Sequence, residues 1–418
     1  MSDPAGERMA WQRPASMTSG LVSTAVLNSA GGLIFWWIAA RLYPTSSVGF
    51  AAAALSATVL LAQVSELGLG TQFAGRLHME DRPGDLLVTG LMACGAVGIV
   101  LGLLFALVAP RLSAELQPLS GTPAAAILFA AGVSLGALSS VLDQVLAATF
   151  RGAVRFARNA TFVIARVAFG AAGATVAGTG GIVIVAGTVV AVAASLLVVA
   201  PFVREASRLA RRTPRWSRLR ALSGDALSHH VLNLSRSASI WLLPLIATIA
   251  VSSAATASFY VALMLTGFVT LIGSSASFTL YVMGVTRPEL MKHHVRVALV
   301  IAGTSALVGG AILVAFGRPL LGVFGGTYAS AYIALVMLAL TSLPVAVRDQ
   351  WLSIKRARGH VRMAAWVGVV TLSLELGSAA VGARLGGIDG LAFGRLIALA
   401  LIAAVMLPSL GSAALRAR

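Results

Sequence analysis

Twelve stretches of this chain, each about 20 residues long, hold almost nothing that water could solvate. They run over roughly 17–40, 48–70, 87–109, 124–148, 159–178, 181–203, 226–250, 257–283, 297–316, 328–347, 363–384 and 389–410. Each is far longer than a barrel strand and lacks polar alternation, and lipid leaves no backbone group unpaired, so the spanning element is the helix. Hydrophobic residues make up 58% of the chain and charged residues 11%, against roughly 25% charged in a soluble domain. The expected fold is all-α and integral to a membrane.

The basic residues orient the spans. Outer loops hold only Arg41, Arg111, Arg318 and Arg384, and Arg166, Arg236 and Arg395 fall within spans. The other 24 of the 31 Lys and Arg, and all six histidines, fall at the opposite ends. By the positive-inside rule those ends, with both termini, are cytoplasmic. The expected location is a bacterial inner (plasma) membrane. The start, "MSDPAGERMAWQRPASMTSG", reads as a retained tail, since it has no small-residue cleavage site after an apolar run. A net charge of +17 suggests nucleic acid, but such binders gather basic residues on one soluble face with aromatics to stack on bases. Here they punctuate apolar runs, which suits anionic lipid headgroups.

The chain says one thing twice. "LDQVLAATFRGAVR" at Leu142–Arg155 matches "VRDQWLSIKRARGHVR" at Val347–Arg362, with Asp143 and Asp349 206 residues apart. Both segments join spans four and five of their half, and both halves then repeat a Gly-Gly-Ile before their last span. Each half crosses an even number of times, so the repeats are parallel, a design that fits alternating access. The divisions are a tail at 1–16, a six-helix lobe at 17–203, a basic linker at 204–225, a second lobe at 226–410 and a tail at 411–418. The linker serves either as a headgroup- or partner-binding arm or as an ordinary positive-inside connection.

"AARLYPTSSVGFAAAALSATVLLAQVSELGLG" resembles the first-to-second-helix segment of polysaccharide and oligosaccharide-lipid flippases, through Ala40-Arg41, Pro44, Val48-Gly49 and Leu67-Gly68-Leu69. "RPLLGVFGGTYASAY" at Arg318–Tyr332 is similar to the loop before their tenth helix. These flippases belong to the multidrug/oligosaccharidyl-lipid/polysaccharide exporter superfamily. The resemblance implies flipping of polyprenyl-pyrophosphate-linked glycans, precursors in polysaccharide biosynthesis, from the inner to the outer leaflet. It implies a cavity lined by helices one, two, seven and eight with cations for the pyrophosphate. It also implies, as partners, a glycan polymerase or glycosyltransferases of the same pathway. Span one, however, has no arginine before Arg41.

Charges inside spans are expensive and face protein or water. Arg236, about ten residues into span seven, is the foremost candidate for the pyrophosphate, since a planar guanidinium suits bidentate phosphate contact; an ion pair with a neighbouring helix is the other reading. Arg166 is either a cavity cation or a buried or snorkelling residue. Arg41 either receives the pyrophosphate at the outer mouth or anchors its helix beside Trp36, Trp37 and Tyr43. Glu375 and Arg395, at overlapping depths on consecutive helices, form a salt bridge, or Glu375 couples transport to a cation. Glu66 either closes an inner gate against a basic residue or has no role. Asp143 and Asp349 are structural, holding the basic loop of their own half.

Metal and cofactor sites are not expected. Neighbouring histidines in His229-His230 and His293-His294 do not share a helix face, and no ligand spacing completes a site. Cys94 is the only cysteine, so no disulfide is expected. The alternative function is a cation-coupled multidrug exporter, though its first half has few interior carboxylates. A glycan polymerase or ligase would need a long outer loop with catalytic residues, and an ATPase a phosphate-cradling glycine loop; neither is present. A flippase fold retained as a scaffold is the remaining reading.

Overall fold

A computed structural model describes residues 24, 26–149, 151–208 and 215–415. The helices in chain order are α1 (Val26–Leu42), α2 (Thr45–Ser65), α3 (Leu69–Arg76), α4 (Pro83–Leu112), α5 (Pro123–Ala148), α6 (Gly152–Val176), α7 (Gly181–Arg208), α8 (Trp216–Ala250), α9 (Ser253–Thr286), α10 (Met291–Gly322), α11 (Tyr332–Leu340), α12 (Ser342–Ala357) and α13 (Val361–Leu415). Among the described residues nine helices are long and apolar enough to cross a membrane. One of these, α13, bends at Gly386 and Gly387 and so supplies two crossings. With α6 and the described part of α1, the twelve expected crossings are all present as helices, six in each repeat.

Several boundaries differ from the sequence reading; span ten, expected to end at 347, continues through α12 to Ala357. Span two, expected to run to residue 70, ends at Ser65 because Leu67 and Gly68 take φ of 52° and 72°. Leu67 is the one non-glycine with positive φ among the described residues, so α3 leaves α2 through a left-handed break that a side chain rarely adopts. The basic linker is shorter than expected. Helix α7 continues to Arg208 and α8 begins at Trp216, and 209–214 lie outside the described residues, as does the tail at 1–16.

The chain falls into two compact units. Unit 1 comprises the described part of Met1–Tyr43, with Leu61–Arg111 and Gln117–Leu227; unit 2 comprises Pro44–Leu60, Leu112–Leu116 and Ser228–Arg418. Most of α2 therefore packs with unit 2, where Gly49 lies so close to the Ser253 carbonyl that a Cβ would overlap it.

Packing within unit 1 inverts the pattern of a soluble protein. On α4 the large side chains Val100, Leu104 and Leu107 are exposed, while Gly98, Gly102, Ala106 and Ala109 are buried. In lipid no hydrophobic force joins helices, so close backbone approach through small residues does. A Cβ on Gly98 would come within 2.8 Å of Ser134 Cα. The two arms of α13 in unit 2 use the same device, with Gly382 against Gly390 and Gly394 against the Ser378 carbonyl.

Gly394→Val is expected to cost about 1–3 kcal/mol by overpacking, read as a lower thermal unfolding midpoint in detergent. Gly377→Ala, on the same helix with nothing within 4 Å of the added Cβ, is the control and is expected to unfold within a degree or so of the parent.

Candidate functional site

Four helical segments of unit 2 contribute a continuous buried chain of charges. Arg236 and Ser239 sit three apart on α8, which gives them one face. Arg348 and Asp349 come from α12, Glu375 from the first arm of α13 and Arg395 from the second. Arg236 Nη2 donates to Asp349 Oδ2 at 3.3 Å. Arg348 bridges the two carboxylates, with Nε 3.2 Å from Asp349 Oδ1 and Nη1 2.9 Å from Glu375 Oε2. Arg395 Nε donates to Glu375 Oε1 at 2.7 Å, and the Ser239 hydroxyl donates to the same oxygen.

Three guanidinium groups thus share two carboxylates, an excess of one positive charge in a buried cluster. Arg236 is the open end of the chain, its side chain 18% exposed against 0–8% for Arg348, Asp349, Glu375 and Arg395. It lies nine residues past Leu227, where the apolar part of α8 begins, or about 13 Å along the axis. A fourth guanidinium, Arg356, stacks 4.1 Å from the Tyr281 ring and donates to Asn233 at 3.3 Å.

Unit 1 handles its charges differently. Arg158 donates to Asp143 at 2.6 Å and to Ser139. Asn159 joins Asp143 to α1, donating to Asp143 at 3.4 Å and accepting from Asn28 at 2.8 Å. Arg166 lies over the Phe35 ring at 3.8 Å and near Trp36 at 5.7 Å, a cation–π arrangement. Glu66 is buried at the end of α2 and accepts from Gln144 of α5 at 3.0 Å, so its carboxylate is engaged within its own unit by a neutral donor. Arg41 lies exposed near the end of α1. Outside the spans, Arg218 of the expected linker grips Glu80 through Nε at 3.0 Å and Nη2 at 2.7 Å, with Arg215 at 3.8 Å. The hydrogen bond and charge of Arg218 hold the Glu80 carboxyl below its ordinary range.

The structure joins Glu375 to Arg395 and Arg236 to Asp349, while Arg41, Arg166 and Glu66 belong to unit 1. Asp349 is held by Arg236 and Arg348, not by the arginines of the following loop. The sequence reading missed Arg348 and Arg158 by assigning both to the inner segments; each is a buried helix residue. The signal was there for Arg348, which lies nine residues before the end of α12 and beside the repeated Asp-Gln. Among the described residues no three His, Cys, Asp or Glu side chains gather as a metal site.

No family model matches the sequence, and no curated protein does. Solved structures do. The chain is similar to the inward-facing conformation of a multidrug resistance MATE family transporter of the MOP superfamily, with a TM-score of 0.71 at 14% identity over 96% of this chain and 100% of that one. An outward-facing form of such a transporter gives 0.64 at 14% identity, over 97% and 96%. A MOP superfamily transporter from Pyrococcus furiosus, described as having a binding pocket of reverse polarity that suggests a different function, gives 0.62 at 14%, over 96% of each. The chain therefore has the MATE transporter fold, all-helical in two six-helix repeats.

Glu375→Ala leaves Arg348 and Arg395 buried beside an empty position and is expected to cost about 3–5 kcal/mol. The double variant Glu375→Ala, Arg395→Met is expected to recover part of that loss in the same thermal melt. Glu80 gives a pH prediction. Its folded carboxyl titrates below its unfolded value of about 4.3, so the pair contributes fully above that pH and is lost as pH falls through the folded value. Hydrogen-exchange protection at the start of α8, relative to the unstructured rate at each pH, is expected to fall in that acid window, and Glu80→Gln to show the lowered protection at neutral pH.

Proposed function

We propose that this chain is a multi-pass membrane exporter that works by alternating access between its two repeats. The observation that carries the reading is the fold, shared over 96% of the chain with transporters described in both inward- and outward-facing forms. Multidrug export has more direct support from those structures than the flipping of lipid-linked oligosaccharide, which reverses the order drawn from sequence.

One observation favours a second reading. The unit 2 cluster has an excess of arginine, and Arg236 is its accessible end. Cationic drugs are repelled by such a site, whereas an anionic or neutral amphiphile is not, and the pyrophosphate of a polyprenyl glycan is one such anion. Under either reading the cargo is anionic or neutral, and Arg236 meets it. Arg41 and Arg166 are proposed as secondary cations, at the α1 end and beside Phe35. Coupling falls to Glu66. Protonating Glu375 weakens the acceptor of two buried arginines, while Glu66 accepts from the neutral amide of Gln144.

The test uses cells lacking the gene, complemented by the parent or by variants. Efflux of an anionic dye and of a cationic dye is measured, together with polyprenyl-linked glycans on the inner leaflet. Lost anionic efflux supports multidrug export, and glycan accumulation supports the flippase. Loss of cationic efflux alone overturns the charge argument, and no change in any arm overturns the exporter. Arg236→Ala is expected to lower whichever transport is found by about tenfold or more at unchanged protein level, the scale of one lost charged hydrogen bond. Glu66→Gln is expected to remove its dependence on a proton gradient.

A further inference from the structure

A cavity of about 870 Å³ opens in unit 1 where several helix ends meet. Its floor is Phe73, Leu77 and Leu87, part of the buried core of that unit. Its rim carries Asp81, Arg82, Arg151 and Glu205. The rim lies at the polar boundary of the spans, since α4 begins at Pro83 and the apolar part of α7 ends at Glu205. All of these ends are on the side rich in basic residues. Thus the cavity has charges where lipid headgroups lie and apolar walls where acyl carbons begin.

The rim charges are balanced, two cations to two carboxylates. Arg151 is fixed at the wall, 4.8 Å over the Phe202 ring and 3.8 Å from Glu205. Gly84 has no side chain, so it lines the cavity through its backbone, in the first turn of α4 where free N–H groups favour a phosphate. An anionic phospholipid would answer the two arginines but set its charge beside Asp81 and draw Arg151 away from Glu205. A phospholipid carrying both a phosphate and a primary ammonium satisfies both. The volume falls within the range of about 300–1,000 Å³ of small-molecule sites, enough for a headgroup and the first carbons of a chain.

We propose that this cavity binds one phosphatidylethanolamine, its phosphate at Arg82 and Arg151 and its ammonium at Asp81 and Glu205. The assignment rests on the chain lying in a bilayer and is independent of what the protein exports.

The test takes the full chain in detergent, washed of lipid and offered equal phosphatidylethanolamine and phosphatidylglycerol with matched acyl chains. Native mass spectrometry reads what stays bound. One phosphatidylethanolamine is expected to be retained about fivefold over phosphatidylglycerol, the scale of one interfacial charge. Glu205→Lys, at a side chain 64% exposed, is expected to reverse the preference, an outcome that misfolding cannot imitate. Ala148→Trp, which narrows the cavity at its wall, is expected to lower retention of both lipids; where that variant does not fold, Glu205→Lys decides. Equal retention of the two lipids, a preference for phosphatidylglycerol in the parent, or unchanged selectivity in Glu205→Lys would each overturn the proposal.

Discussion

A guanidinium taken into an apolar helix bundle must be answered by a carboxylate, because the desolvation of an unpaired ion is worth several kcal/mol. Unit 2 depends on that constraint. Asp349 and Glu375 answer for three arginines drawn from α8, α12 and the second arm of α13. The glycine contacts of α13 follow from it: Glu375 and Arg395 meet at 2.7 Å only because Gly382, Gly390 and Gly394 let the two arms touch backbone to backbone. Helix association and charge satisfaction are one problem here, solved by the smallest and some of the largest side chains in the unit.

The repeated aspartates show one position serving two local chemistries. In each half the Asp is tied to the first helix of that half. Asp143 reaches α1 through Asn159 and Asn28, a neutral relay, whereas Asp349 reaches α8 directly through Arg236. What the two halves share is the tether, not its charge. Unit 1 instead pairs its buried Arg158 with Asp143, and its Arg166 lies over the Phe35 ring.

How much of this was legible depends on the range of the signal. Apolar length is summed over about 20 residues, so all twelve crossings are legible in the residues themselves, and the pairing of Glu375 with Arg395 followed from depth on consecutive helices. The break after α2 was not legible, because a left-handed Leu67 breaks no rule of composition. Partner choice was harder still. Arg236 and Asp349 are 113 residues apart, and Arg218 and Glu80 are 138 apart. Sequence separation on that scale has no periodicity to report it. Arg348 was misread for a different reason: basic residues near a span's end are assigned to the loop by default, and only helix length shows that α12 carries this one inside.

The same network bears on how energy could enter the molecule. A carboxylate that carries protons must exist in two states of similar free energy, with the neutral form leaving no stranded charge. Glu375 fails that condition, since protonating it weakens the acceptor of Arg395 and one of the two that hold Arg348. Glu66 meets it. Its bond from Gln144 survives protonation, because the acid can still accept from the amide. It also closes α2 immediately before the left-handed turn at Leu67 and Gly68, and Cys94 of α4 donates to its carbonyl. A change in its charge therefore acts at a junction of three helices, α2, α4 and α5, where the backbone is already in a conformation that neighbouring contacts must hold. The charge excess lies with the arginines of unit 2, whereas the Glu66 carboxylate at the end of α2 is met by the neutral amide of Gln144.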